Sequence, residues 1–207
     1  MSAAQTWRLA DFLSRSTDTD FSETTLAKVL GTVPTLSAAG PWIAGGAIRR
    51  TIMGKEPESD FDFFFRDADQ LGTFADGLLE RGYRKVRETE HHIQFRGAPN
   101  GGVERDVQLI RFKYYQSAED VIDSFDFTIC MVAFDGETLT AGEYALFDLG
   151  RQTLAIHQVT FPVSTMRRMI KYTKQGFRAC PGAMATILRE TATNPELMAK
   201  LDIQYVD

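Results

Sequence analysis

Between Trp42 and Phe65 the chain places two apolar runs on either side of a Gly-Gly pair. Trp42-Ile43-Ala44-Gly45-Gly46-Ala47-Ile48-Arg49-Arg50-Thr51-Ile52-Met53-Gly54 passes through a short loop into Ser59-Asp60-Phe61-Asp62-Phe63-Phe64-Phe65. This order predicts a strand, a glycine turn, a helix and a second, buried strand. Residues i and i+2 of an extended chain point the same way, so Asp60 and Asp62 share one face while Phe61 points into a core. Two hard oxygen ligands at that spacing suit Mg²⁺ or Mn²⁺. A Gly-Gly pair alone is usually a turn, and an isolated Asp-x-Asp is more often a solvated loop or a helix cap. Their order, their spacing and the apolar residues flanking both set the combination apart.

The remaining segments read as elements of one α/β (α+β) unit. Helical spacing of apolar residues marks 7–13 and 21–30, with Ser22 as a candidate cap, and both helices are expected to pack on a sheet. Residues 31–41 form a connector, 41–44 a strand, 47–53 a helix and 60–65 a buried strand. A helix over 69–81 closes at Gly82, and three strands follow over 83–89, 91–96 and 103–112, the last two joined by a turn at 99–102. A short helix at 118–123 precedes an apolar stretch at 126–134 and a turn at Asp135-Gly136. Helices are predicted at 161–178, stopped by Pro181, and then at 182–190 and 195–201. A boundary near residue 150 separates a mixed, mainly antiparallel sheet flanked by helices (1–150) from a short helical neck (151–207).

With 207 residues, 43% of them hydrophobic and fifteen of them Phe, the chain can bury a real core. No apolar run approaches the length of a membrane span, and no basic-then-apolar leader opens the N-terminus. Cys130 and Cys180 lie far apart without metal-ligand spacing, which predicts free buried thiols and a cytoplasmic protein. A net charge of −5 argues against a protein that grips duplex DNA by its backbone. Local basic clusters at 81–87 and 167–174 can still meet phosphates. Val103-Glu104-Arg105-Asp106-Val107-Gln108-Leu109-Ile110-Arg111 is a strand carrying Asp106, the candidate third carboxylate, with Glu104 on the same face as its rival. Three carboxylates on neighbouring strands would hold two metal ions for in-line phosphoryl displacement. Gly45 and Gly46 let a triphosphate approach the backbone, and Arg49, one turn into the helix, could reach a phosphate. His91 and His92 read as structural or solvent-facing.

Gly45-Gly46-Ala47-Ile48-Arg49, Ile52-Met53-Gly54 and Asp60-Phe61-Asp62 resemble the head signature of class II tRNA nucleotidyltransferases (CCA-adding enzymes) and bacterial poly(A) polymerases. Downstream, Asp106 to Arg111 is similar to that family's acid-Val-x-x-x-Arg strand. Asp126 to Asp135 is similar to its Asp-Phe-Thr-Ile-Asn-Ala segment, and Phe147 to Gly150 to the acidic stretch after it. Met166-Arg167-Arg168-Met169-Ile170-Lys171-Tyr172 to Gly176-Phe177 is similar to its neck helix. The resemblance covers roughly residues 40–178. It implies a nucleotidyltransferase that moves an NMP from an NTP, ATP among the candidates, to a hydroxyl such as an RNA 3′ end. It implies Asp60, Asp62 and Asp106 as catalytic metal ligands, and Gly45, Gly46, Arg49, Asp126, Arg167 and Lys171 as nucleotide contacts.

The departures concern the nucleotide pocket. Arg50 stands where the family has Asp, Ser124-Phe125 where it has Arg-Arg, and Cys130 where it has Asn. No Glu-Asp-x-x-Arg motif follows, so CCA addition to tRNA is expected to need a partner, either a second copy or a larger protein. Two rivals share the pattern: a toxin-like nucleotidyltransferase that modifies a protein or tRNA, and a degenerate head that binds nucleotide, RNA or protein without catalysis. The compact build would suit a phage-borne or mobile-element protein.

Overall fold

A computed structural model describes residues 4–16, 20–57, 60–98 and 103–199. Its strands are β1 (Gln5–Arg8), β2 (Trp42–Ala44), β3 (Phe61–Phe64), β4 (Arg84–Glu88), β5 (His92–Gly97), β6 (Arg105–Ile110), β7 (Val132–Phe134), β8 (Thr138–Ala141), β9 (Thr153–Leu154) and β10 (Arg178–Ala179). Its helices are α1 (Leu9–Ser16), α2 (Thr25–Leu30), α3 (Gly46–Ile52), α4 (Ala68–Glu80), α5 (Ala118–Ile122), α6 (Ala145–Arg151), α7 (Pro162–Lys174), α8 (Pro181–Thr193) and α9 (Pro195–Ala199).

Eight strands form one sheet in the order β1-β8-β7-β2-β3-β6-β5-β4. Neighbours run antiparallel except β3 and β6, which are parallel. The short pair β9 and β10 is also parallel. This is the mixed, mainly antiparallel sheet with flanking helices that the sequence predicts.

Strand alternation separates core from cleft in the centre of the sheet. Phe61 and Phe63 of β3, Val107 and Leu109 of β6, and Ile93 and Phe95 of β5 are all buried. Phe63 packs against Phe74 of α4 at 5.0 Å between ring centroids. Full burial of such a side chain contributes roughly 1.5–3 kcal/mol, so this face fixes the register. The opposite face carries Asp62, Gln108, His92 and Gln94. Caps hold the flanking helices in place: Asp67 Oδ1 accepts from Gln70 N at 2.8 Å at the start of α4, and Thr24 Oγ1 accepts from Ala27 N at 3.1 Å before α2.

Several local readings are corrected. The expected helix over 7–13 begins only at Leu9, because Gln5–Arg8 is an edge strand paired antiparallel with β8. β8 itself and α6 lie where no element was predicted. The cap of α2 is Thr24, while Ser22 falls in a single 3-10 turn, Phe21–Glu23. The long helix expected over 161–178 ends at Lys174, and Arg178 and Ala179 enter β10 instead. Cys130 and Cys180 are both free, but only Cys130 is buried. Cys180 sits at the start of α8, where its sulfur accepts from Ala183 N at 3.4 Å. The turn at 99–102, Ser59 and the end of the helix expected over 195–201 lie outside the described residues. Among the described residues no helix is long and apolar enough to cross a membrane.

Candidate active site

Gly45 joins β2 to α3 with φ +79°, a conformation that favours glycine. Its space is used as well, since a Cβ there would come within 3.2 Å of the Phe125 ring. Gly46 opens α3, and Arg49 follows one turn later. Gly46 and Arg49, but not Gly45, line a cleft of about 700 Å³ that reaches from α3 and α7, across β3 and β6, to β5 and β4. Gly46, Arg49, Asp60, Asp62, Asp126 and Lys171 all line it. Arg50, Ser124, Phe125 and Cys130, the positions where the sequence departs from the resembled pattern, line the same cleft. A smaller hollow of about 100 Å³ lies against α2 and the end of α3 and contains none of the candidate residues.

The carboxylates of the sheet are held differently. Asp60 is half-buried and accepts a hydrogen bond from the side-chain amide of Gln108. Burial, and after it the negative charge of Asp106, pushes the Asp60 carboxyl above its usual range. Asp62 lies directly opposite Gln108 in the β3–β6 pairing. Asp106 is absent from the cleft lining. Arg96 donates to both of its oxygens, Nε to Oδ1 at 2.6 Å and Nη2 to Oδ2 at 2.7 Å, which holds its carboxyl below the usual range. Glu104, the rival, pairs with Arg84 at 3.0 Å. Among the described residues no three His, Cys, Asp or Glu side chains converge as a metal site.

The cation side of the cleft is equally uneven. Arg49 is only 3% exposed. Its Nη2 donates to Gln175 Oε1 at 2.7 Å, and Nη1 lies 3.9 Å from Cys130 Sγ. Its guanidinium stands over the rings of Tyr172 at 4.5 Å and Phe177 at 5.2 Å. Among the described residues Arg49 Nε has no hydrogen-bond partner, and no carboxylate forms an ion pair with this arginine. Burial, with the Cys130 thiol beside it, pushes the Tyr172 hydroxyl well above its ordinary value and keeps it protonated.

Asp126 is buried too, but it is answered. Arg168 Nη1 donates to its Oδ2, and Thr165 Oγ1 lies 3.0 Å from the same oxygen. Lys171 reaches the cleft with no ion pair among the described residues, and its charge acts on Asp60. Arg167 is exposed and does not line the cleft.

Four contributors were missed by sequence reasoning: Gln108, Arg168, Tyr172 and Gln175. Helical spacing could have found three of them, because 168, 171, 172 and 175 lie on one face of α7 and its C-terminal turn. Gln108 shares the cleft face with Asp106, two residues away. His92, read as structural or solvent-facing, lines the cleft. Burial, then the neighbouring Arg87 and His91, lowers its pKa and favours the neutral ring.

Solved structures resemble this arrangement. The Thermotoga maritima CCA-adding enzyme complexed with tRNA superposes with a TM-score of 0.58 at 17% identity, covering 95% of this chain and 50% of that one. A CCA-adding enzyme in complex with CTP gives 0.58 at 18% identity, covering 95% of this chain and 49% of that one. A tRNA nucleotidyltransferase complexed with a primer tRNA and an incoming ATP analog gives 0.54 at 20%, covering 85% and 54%. At such identities the likeness establishes the fold, a nucleotidyltransferase head. The chain spans about half the length of these proteins.

In sequence, the protein called Gabija anti-defense 2 from Bacillus phage SPbetaL7 is 30% identical over 140 residues, covering 65% of this chain and 33% of its own length. The family model described as Gabija anti-defense 2 family protein matches residues 7–152, which contain β2, α3, β3 and β6 with Asp60, Asp62 and Arg49. With most of its length, and the carboxylate half of its cleft, inside that match, the chain belongs to the Gabija anti-defense 2 family.

Proposed function

We propose that the protein is a metal-dependent nucleotidyltransferase that moves an NMP from an NTP to a hydroxyl acceptor, an RNA 3′ end being the first candidate. One observation carries this reading: Asp60 and Asp62 share a cleft with Gly46, Arg49 and Lys171. The donor set fits a divalent cation. Two carboxylates stand on one strand face, and one of them, Asp60, is half-buried and bonded to the neutral amide of Gln108, so a cation beside it would offset the cost of burying its charge. A bound Mg²⁺ or Mn²⁺ would supply Lewis-acid stabilisation of the charge that develops on the α-phosphate.

The chain's own groups do the rest. Arg49 and Lys171 bind the triphosphate oxygens, and the aromatic wall of Phe64, Tyr115, Phe125 and Tyr172 shelters the nucleoside. The acceptor oxygen attacks the α-phosphorus, the bond to the bridging oxygen of the β-phosphate breaks, pyrophosphate leaves, and the hydroxyl proton passes to water. Asp106 does not line the cleft and is paired with Arg96, so it would join the centre only after a rearrangement. Asp126, paired with Arg168, orients α7 and with it Lys171. Arg167 would meet the acceptor from outside the cleft.

The phage relative is named for action against a defence called Gabija. On our reading the transfer serves the same end here, and the acceptor is a component of that defence or an RNA it depends on. A second reading is favoured by the Phe125 ring seated on Gly45 and by the arginine-bound Asp106: the cleft binds nucleotide or partner without chemistry. The test is incubation with each α-labelled NTP, Mg²⁺ or Mn²⁺, and pools of total RNA and cell protein, beside Asp60→Ala/Asp62→Ala. Label on RNA or on protein with the wild type alone establishes the transfer and its acceptor class. Binding of NTP without label on either pool favours the second reading.

A further inference from the structure

The cleft floor carries one more hard-oxygen donor beside the carboxylate pair. Gln108 is the Cα partner of Asp62 in the parallel β3–β6 ladder, and its side-chain amide donates to Asp60 Oδ2. One residue therefore faces one carboxylate and is bonded to the other. It is part-buried and lines the cleft. Asp106, two residues earlier on β6, does not line the cleft, and each of its oxygens accepts a hydrogen bond from Arg96, at 2.6 and 2.7 Å.

We propose that the side-chain amide oxygen of Gln108, rather than the carboxylate of Asp106, completes the cation site with Asp60 and Asp62. This rests on the nucleotidyltransferase reading. A primary amide presents a donor nitrogen and an acceptor oxygen of nearly the same size, so half a turn about its last bond exchanges them in place. Without a cation the N–H end holds the Asp60 carboxylate. With one, the oxygen end turns inward, and amide oxygens are hard ligands of the kind such cations accept. Arg96 already pairs with the charge of Asp106, so the amide of Gln108 can serve the cation without disturbing that pair.

The test is Mn²⁺ binding to the full chain without nucleotide, followed by the paramagnetic resonance signal of free Mn²⁺. The variants are Gln108→Leu, Gln108→Glu, Asp106→Asn and Asp60→Asn/Asp62→Asn. Loss of a ligand or its support weakens metal binding by about tenfold or more, and that loss is expected in Gln108→Leu. Gln108→Glu is expected to bind at least as tightly as the wild type, and Asp106→Asn equally well. Wild-type affinity in Gln108→Leu overturns the proposal, as does weakened binding in Asp106→Asn. If Gln108→Leu does not fold, Gln108→Glu decides, and weaker binding there overturns the proposal. A wild type that binds no Mn²⁺, or an Asp60→Asn/Asp62→Asn variant that binds it undiminished, overturns the parent reading as well. A loss confined to Asp106→Asn overturns this proposal alone.

Discussion

Asp60, just before β3, and Asp106, on the parallel neighbour β6, face the same side of the sheet, yet the protein treats their charges in opposite ways. Asp60 is bonded to a neutral amide, and burial with the nearby Asp106 pushes its carboxyl up. Asp106 is gripped through both oxygens by Arg96, which holds its carboxyl down. The helical wall repeats the contrast with cations. Arg168 answers buried Asp126, while Arg49, more deeply buried, faces a thiol, an amide and two rings. A spent charge supports the fold, and an unanswered charge is available to a ligand. One unanswered acid and one unanswered cation border the same cleft, and a metal–nucleotide complex carries both opposite charges.

The largest expected effect falls on the two carboxylates of the cleft, Asp60 and Asp62. Asp60→Ala/Asp62→Ala should lower kcat/KM for NMP transfer by about a thousandfold or more, since several kcal/mol of transition-state stabilisation is lost. Labelled-NTP kinetics checks this, and surviving activity would break the assignment of charge to ligand. The two arginines come next. Arg168→Met strands buried Asp126 and should lose about 3 kcal/mol of unfolding free energy in a urea titration. Arg49→Met strands no acid and should stay within about 1 kcal/mol of the wild type in the same titration, while weakening NTP binding about tenfold. Equal stability losses would erase the contrast.

A smaller effect follows from Asp60 itself. Its folded pKa is raised above the ordinary 3.8, so across the window from that value upward the folded state holds more protons than the unfolded one. Stability therefore falls as pH rises through the window and stays lowered at neutral pH. Asp60→Asn should remove that penalty, keep the Gln108 bond and raise Tm by about 2–4 °C in metal-free buffer. Calorimetry at pH 7 reads it, and a lower Tm would count against an unanswered charge. The smallest effect concerns Asp106. Its folded pKa lies below the ordinary 3.8, so its contribution is complete above that value and disappears as pH falls through the depressed folded value. Asp106→Asn should flatten the acid limb of the stability curve only slightly, because solvent reaches Arg96 and screens the pair.

Much of the fold was legible where a pattern repeats within a few residues. The i, i+2 spacing placed Asp60 and Asp62 on one face, and Gly45-Gly46 marked the turn into α3. The buried strand and α4 followed from the same alternation and helical spacing. The edge strand β1 was not legible, although β4 at the other edge was. Gln5–Arg8 is extended because β8 pairs with it, and nothing local in Gln-Thr-Trp-Arg announces that partner. The site divided in the same way. The motifs singled out Arg49 and Lys171, which line the cleft, but Gln108 became visible only through its register against Asp62, and Arg168 only through the face that α7 turns to the cleft.

The sequence by itself determined that a glycine turn, a helix and an Asp-x-Asp strand follow one another, because backbone sterics and strand periodicity act within a few residues. It also determined which residues could carry charge. Only the tertiary structure decided which charges are neutralised. Arg96 reaches Asp106 across the antiparallel β5–β6 pair, Arg168 reaches Asp126 from α7, and Arg49 forms no ion pair among the described residues. Burial and proximity between segments far apart in the chain set those energies, and they exist only once the sheet and the helical wall have come together.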